Sequence, residues 1–101
     1  MSRGMIDKRL LLSETELQQA FAEYLRQLRE KAKLSRAALA ERSTVPAPTI
    51  KKFELTGQIS FRQLLLLWQS LDDLSRLYQL TQQPPQQRLP SSIEEVLKDG
   101  L

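Results

Sequence analysis

The segment from Leu34 to Glu54, LSRAALAERSTVPAPTIKKFE, constrains the fold more than any other part of the chain. Ser35 is a good helix N-cap, and the residues that follow it place Leu39 on an apolar stripe of a first short helix. The pattern then breaks before Pro46, because proline lacks the N–H that a continuing helix needs. A second helix is predicted to begin at Ala47 or at the next residue. The segment therefore encodes two short helices separated by a tight turn.

The second of these helices is predicted to be apolar on one side and basic on the other. Ile50 and Phe53 are three residues apart on one face, and Lys51 and Lys52 point elsewhere. Two helices joined by a turn of about three or four residues form a helix-turn-helix, whose second helix enters the major groove of DNA. Double-stranded DNA is therefore the expected partner. The candidate DNA-binding residues are Ser35, Arg36, Ala47, Pro48, Thr49, Lys51, Lys52 and Gln58.

These candidates divide by the chemistry that each can offer to DNA. Ser35 and Arg36, with the free N–H groups of the first turn, are suited to hold a phosphate. A lysine at 51 or 52 can donate to guanine, or can contact the backbone without reading a base, and both alternatives remain open. Ala47 and Pro48 can offer only apolar contacts, as to a thymine methyl group, whereas Thr49 can bond to phosphate or base.

The segment resembles the helix-turn-helix of the XRE family, which includes the phage Cro and repressor proteins. The resemblance rests on Ala40, Val45, Ile50, Phe53 and Glu54, and on the upstream run Leu25-Arg26-Gln27-Leu28-Arg29. Downstream, the run from Thr56 to Phe61, together with Leu64, matches a variant loop common among HipB-like antitoxins. Three departures are Thr44, where the family usually has glycine, Arg36, where it usually has glutamine, and Pro48, which can delay the start of the second helix.

The resemblance implies an all-α, five-helix domain of the λ-repressor type that acts as a homodimeric repressor on an inverted-repeat operator. It also implies a structural ion pair between Arg29 and Glu54. The HipB-like features imply autoregulation of a toxin–antitoxin operon and a complex with a HipA-like serine/threonine kinase toxin, whole or split over two chains. A phage-type repressor without a toxin partner and a protein-interaction module that does not bind DNA remain as alternatives.

The composition argues against an enzyme. Cysteine and histidine are both absent, which removes thiolate nucleophiles, Cys-based metal sites and the commonest general base and metal ligand. The carboxylates are scattered over predicted helix surfaces. No apolar run approaches the length of a membrane span, and no secretory signal is visible. We therefore expect a cytoplasmic protein without catalytic activity, cofactor or metal.

Charge is unevenly distributed along the chain, whose formal net charge is +3. Between Ala22 and Arg62, basic residues outnumber acidic ones, whereas from Gln63 onward acidic residues outnumber basic ones. A basic half that contains a helix-turn-helix suggests a surface for a polyanion. The basic residues of the first half are Arg26, Arg29, Lys31, Lys33, Arg36, Arg42, Lys51, Lys52 and Arg62.

Three regions are predicted along the chain: an N-terminal arm (1–12), a DNA-binding domain (13–83) and a Pro-rich linker with a short amphipathic tail (84–101). The arm is expected to be a short strand, an apolar segment that packs on a partner, or disordered. The tail, with Ile93, Val96 and Leu97, is expected to dock on the fourth and fifth helices, to dock on a partner, or to fray. Trp68 and Tyr78 are predicted to make core or dimer contacts.

The helix boundaries within the domain follow from caps and breakers. A capping box of Ser13 with Glu16 opens the first helix, which should run to Ala32 with Leu17, Phe21, Leu25, Leu28 and Ala32 on one side. The second helix should span about Arg36 to Arg42. Ser60 should cap the fourth helix, and Asp72 or Asp73 should begin the fifth, which ends before Pro84.

Overall fold

The computed structural model describes residues 11–82, and this part of the chain forms five α-helices and no strand. The helices are α1 (Glu14–Lys31), α2 (Arg36–Ser43), α3 (Ala47–Thr56), α4 (Phe61–Leu71) and α5 (Leu74–Leu80). The prediction of an all-α domain with five helices is confirmed. Residues 1–10 of the predicted arm, together with the linker and the tail, lie outside the described residues.

Helix α1 begins with the predicted capping box. The Ser13 hydroxyl accepts a hydrogen bond from the Glu16 amide at 3.1 Å, and the Glu16 carboxylate accepts one from the Ser13 amide at 3.1 Å. The helix ends at Lys31, one residue before the predicted end, and Ala32 is its C-cap. The two reciprocal bonds satisfy amide groups that have no partner within the helix, so the local sequence determines where α1 starts.

The turn between α2 and α3 is built on a left-handed residue. Helix α2 extends one residue beyond its predicted end, to Ser43, and its C-cap is Thr44 with φ 66°. Threonine therefore occupies the backbone conformation that glycine adopts most readily, at the position where the XRE family usually has glycine. The next residue, Val45, is 1% exposed and anchors the turn in the core.

Helix α3 begins at Ala47, and the delay that Pro48 could have caused does not occur. Pro46 is the N-cap and Pro48 lies in the first turn. Proline is tolerated there because the first amide groups of a helix have no intrahelical acceptor. The start of α3 is therefore compatible with both prolines.

The core lies where α1, α2, α3 and α4 meet. Its buried apolar residues are Ala22, Leu25, Leu39, Val45, Ile50, Phe53, Leu67 and Trp68. The predicted stripe on α1 is only partly correct, because Leu17 is 44% exposed and Ala32 is also exposed. The buried positions of α1 run from Ala22 to Arg29, so within the described residues the other helices cover mainly the second half of α1.

Trp68 connects α4 to α1 and to the start of α5. Its ring packs edge-on against Phe21, with 5.7 Å between ring centroids, and lies 5.4 Å from the ring of Tyr24. Its indole N–H donates to the carbonyl of Asp73 at 3.0 Å, and Asp73 is the N-cap of α5. The prediction of a core contact is thus correct for Trp68. Tyr78 is 64% exposed and is not part of this core.

A second polar contact holds α5 near α1. The hydroxyl of Tyr24 donates to Asp72 Oδ2, and Arg76 Nη1 donates to the same carboxylate oxygen at 2.7 Å. The hydrogen bond from Tyr24 lowers the pKa of Asp72 below its ordinary value, assisted by the Asp73 amide and the charge of Arg76 and opposed by burial. The contact therefore contributes to the free energy of unfolding at pH values above the ordinary carboxyl pKa. This contribution to stability is lost as the pH falls through the lowered pKa of Asp72.

Gly57 joins the end of α3 to α1 by a close backbone contact. It is the C-cap of α3, with φ +81°, and its amide donates to the Phe53 carbonyl at 2.7 Å. A Cβ atom at this position would lie 3.1 Å from the carbonyl carbon of Gln18 and 3.1 Å from the amide nitrogen of Gln19. Both neighbours are backbone atoms of a helix, so they cannot move aside without shifting α1 against α3.

We expect Gly57→Ala to lower the free energy of unfolding by about 1–3 kcal/mol, because it adds left-handed strain and a backbone clash. Urea denaturation followed by circular dichroism measures this loss. Gln58→Ala, a change at the exposed neighbouring residue, is the control and should stay within about 0.5 kcal/mol of the parent. Equal stabilities for the two variants would contradict the assigned role of Gly57.

Candidate nucleic-acid interface

The exposed side of α3 and the loop after it form one shallow concavity of about 400 Å³. Four of the predicted DNA-binding residues line it: Pro48, Thr49, Lys52 and Gln58. Pro48 and Lys52 are four residues apart and therefore lie one above the other on the helix surface. The concavity thus combines an ammonium group, a hydroxyl and an amide, which are groups that can donate to phosphates or to base edges.

Lys51 and Ala47 lie along another edge of α3. Successive residues of an α-helix are rotated by about 100°, so Lys51 and Lys52 cannot point in the same direction. Lys51 is exposed, and Ala47, four residues before it, is half-buried. The two lysines therefore flank the exposed face of α3, and only Lys52 lines the concavity.

The start of α4 contributes to the same concavity, which the sequence did not reveal. Gln63 lines it beside Gln58 and Ile59. Ser60, the N-cap of α4, accepts a hydrogen bond from the Gln63 amide at 3.1 Å and bonds to its side-chain oxygen at 3.2 Å. The sequence predicts Ser60 as the N-cap of α4. This cap places Gln63 in the first turn of α4, close to the loop after α3, and could have identified Gln63 as a candidate.

The start of α2 is only partly available to a phosphate. The Ser35 hydroxyl accepts a hydrogen bond from the Ala38 amide at 3.0 Å, as expected of an N-cap. Arg36 Nε donates to Glu54 Oε1 at 2.8 Å, and its side chain is 37% exposed. Arg36 thus has a structural contact that sequence reasoning missed, because its partner is 18 residues away on another helix.

Arg29 also binds the carboxylate of Glu54. Arg29 Nε lies 2.7 Å from Glu54 Oε2 and Arg29 Nη2 lies 3.1 Å from Oε1, so the pair is bidentate. Arg29 Nη1 also donates to the Leu34 carbonyl at 2.9 Å, just before α2. The side chains of Glu54 and Arg29 are 3% and 10% exposed, respectively. One buried carboxylate therefore ties α1 and α2 to α3.

Arg36 is the most exposed member of this network. Its side chain is 37% exposed, and it lies in the first turn of α2. The charges of the network largely balance, because Glu54 binds both arginines and Arg29 also lies 4.0 Å from Glu30. Lys51 and Lys52, rather than this network, therefore supply the positive charge that favours a polyanion at the exposed face of α3.

Residues 11–82 contain no group of three or more acidic side chains placed to hold a metal ion. Among the helices of this region, none is both long and apolar enough to cross a membrane.

The buried ion pair predicts that the effects of replacing Arg29 and Glu54 on stability are strongly coupled. We expect Arg29→Ala and Glu54→Ala each to lower the free energy of unfolding by about 3 kcal/mol. Glu54→Ala leaves the buried Arg29 without its carboxylate, and Arg29→Ala leaves the buried Glu54 with only the partly exposed Arg36. The double variant should lose clearly less than the sum of the two, as measured by urea denaturation in a double-mutant cycle.

Arg26→Ala is the matched control for this cycle. It removes an arginine of the same helix that pairs with Glu23 and Glu30, both of which are about half exposed. Its cost should remain below about 1 kcal/mol. Additive losses for Arg29 and Glu54, or a loss for Arg26 as large as theirs, would contradict the assigned role of the buried pair.

Comparison with known protein families agrees with this geometry. Residues 20–89 match the family described as "Helix-turn-helix domain", and this match covers more than half of the chain. The match includes α2, α3, α4 and α5 entirely and most of α1. No curated protein and no solved structure matches the chain.

Proposed function

The chain belongs to the helix-turn-helix domain family and is a DNA-binding regulator of that type, and we propose that it represses transcription as a homodimer on an inverted-repeat operator. The observation that carries the proposal is the exposed face of α3, with Thr49, Lys52 and Gln58 around one concavity. In this mode of binding, α3 lies in the major groove and α2 crosses the backbone.

Each half-site would be held by charge and read by a few side chains. Lys52, Thr49 and Gln58 face one side of the groove, and Lys51 faces the other. The first turns of α2 and α4 present free backbone N–H groups and positive dipole ends, which favour phosphates. Because these contacts displace counterions, the affinity for DNA falls steeply as the salt concentration rises.

The homodimer is supported by apolar surface on α5. Leu74, Tyr78 and Leu80 are 37%, 64% and 63% exposed, although α5 has only seven residues. So short a helix gains most of its stability from packing, and a second copy could cover this surface. In a symmetric dimer the two copies of α3 would reach successive major grooves about 34 Å apart.

The proposal extends to a HipB-like antitoxin with a HipA-like kinase toxin as its partner. Its support is the loop from Thr56 to Phe61 and Leu64, which resembles that group. A phage-type repressor would have no toxin partner, and an interaction module would not bind operator DNA. A kinase-like reading frame next to this one favours the antitoxin, whereas its absence favours the phage-type repressor.

The DNA-binding role of α3 is tested by replacing both of its lysines. The double variant Lys51→Ala, Lys52→Ala should abolish specific protection of the operator in footprinting. The two substitutions together remove the cations from both edges of α3. Circular dichroism should show an unchanged fold, since both side chains are exposed.

Arg42→Ala provides the control for charge. Arg42 is exposed near the end of α2 and lines a different concavity, together with Leu66 and Gln69 of α4. Its replacement should leave the footprint in place. If the double lysine variant still protects the same operator, α3 is not the reading helix; if the parent protects no selected sequence and is not retained on heparin, the chain is an interaction module.

A further inference from the structure

A second groove, of about 380 Å³, lies between the start of α1, the loop after α3 and the start of α4. It is lined by Glu14, Leu17, Gln18, Phe21, Phe53, Gly57, Ile59, Phe61 and Leu64. Phe61 is 73% exposed and Leu17 is 44% exposed, so two large apolar side chains of the groove face solvent in the described part of the chain. Apolar surface of this kind is usually covered by a protein segment or a partner.

The groove is unlike a small-molecule site. Such sites combine an apolar lining with several converging polar groups that fix the orientation of the ligand. Here Glu14 and Gln18 are the polar side chains of the lining, and both belong to the first two turns of α1. An apolar segment of polypeptide suits this surface better.

We propose that residues 1–10 of this chain fold back over the groove, with Ile6 and Leu10 covering Leu17 and Phe61. The chain enters the described region at the edge of the groove, since Ser13 caps α1 and Glu14 lines the groove. The arm therefore joins α1 at the edge of the apolar groove. Its sequence, MSRGMIDKRL, supplies aliphatic side chains at positions 5, 6 and 10.

The residues next to the N-cap direct the entering chain toward the groove. Leu12 precedes the N-cap and Leu17 is the fourth residue of α1, which are the two positions of a hydrophobic staple. A staple fixes the angle at which the chain enters a helix. Leu12 and Leu17 are 48% and 44% exposed, so both retain apolar surface for residues 1–10 to cover.

The distances allow the arm to reach across the groove. The six peptide units from Ile6 to Leu12 can span at most about 20 Å when extended. The groove follows α1 from Glu14 to Phe21, which corresponds to about 10 Å of helix. A short tether of this kind also gives a local concentration in the millimolar range, which favours the chain's own arm over a second copy.

Charge favours the arm over the other segment outside the described residues. The arm carries Arg3, Lys8 and Arg9 against Asp7, and the groove is bordered by the carboxylate of Glu14. The last eleven residues carry Glu94, Glu95 and Asp99 against Lys98. The acidic segment would be repelled by Glu14, whereas the basic arm would be attracted to it.

The arm would also support the loop beside the DNA-binding face. Ile59 lines both this groove and the concavity that contains Lys52 and Gln58. An arm in the groove would pack on one side of the loop while the other side remains open to DNA. It would thus stiffen the loop without covering the concavity.

Nuclear Overhauser spectroscopy of the full chain tests the proposal directly. The methyl groups of Ile6 should show cross-peaks to the ring of Phe61 and to the methyl groups of Leu17. A mixed sample of labelled and unlabelled chains separates contacts within one chain from contacts between two. Cross-peaks only between chains, cross-peaks from Ile93 instead of Ile6, or none to Phe61 would each overturn the proposal.

A charge placed in the arm gives a second test that does not depend on spectral assignment. Ile6→Asp should lower the urea midpoint by about 0.5 M, because an aspartate cannot remain on the apolar groove. Ser2→Asp adds the same charge to the arm without removing an apolar side chain and should leave the midpoint unchanged. Equal midpoints for Ile6→Asp and the parent chain would contradict the proposal.

Discussion

The arrangement of the helices depends on one buried carboxylate. Glu54 lies near the end of α3 with its side chain 3% exposed, and it receives Arg29 from α1 and Arg36 from α2. Removing a carboxylate from water costs several kcal/mol unless its oxygens are bonded, and here both oxygens accept charged donors. The same requirement holds the three helices together, because both arginines reach the carboxylate only when α1 and α2 lie close to the end of α3.

This constraint explains how a domain with a small core can hold α3, the proposed reading helix, in one orientation. Glu54 and Gly57 attach the second half of α3 to α1 and α2, one through charge and the other through close backbone contact. One face of α3, with Ile50 and Phe53, is buried in the core, and another face, with Pro48, Thr49 and Lys52, lines the concavity. Burial of one face and exposure of the other is what a helix needs when it enters a groove of DNA.

Local features of the fold could be predicted from the sequence, whereas contacts between helices could be predicted only where a family pattern pointed to them. The caps Ser13, Ser35 and Ser60 depend on neighbouring residues, and all three form as expected. The bond from Arg36 to Glu54, the place of Gln63 beside Gln58 and the exposure of Phe61 depend on how separate helices pack. No short-range pattern encodes that packing, so these features became visible only in the structure.

The most direct test of this account is the DNA specificity of Glu54→Gln, which keeps the shape of the side chain but removes the charge that holds both arginines. Binding to a selected operator and to random DNA should be measured at one salt concentration, with circular dichroism confirming that the variant is folded. The account predicts that the ratio of specific to non-specific affinity falls by about tenfold or more, a loss of at least about 1.4 kcal/mol, while non-specific binding is retained. An unchanged ratio in a folded variant would show that the buried carboxylate does not orient α3 for DNA.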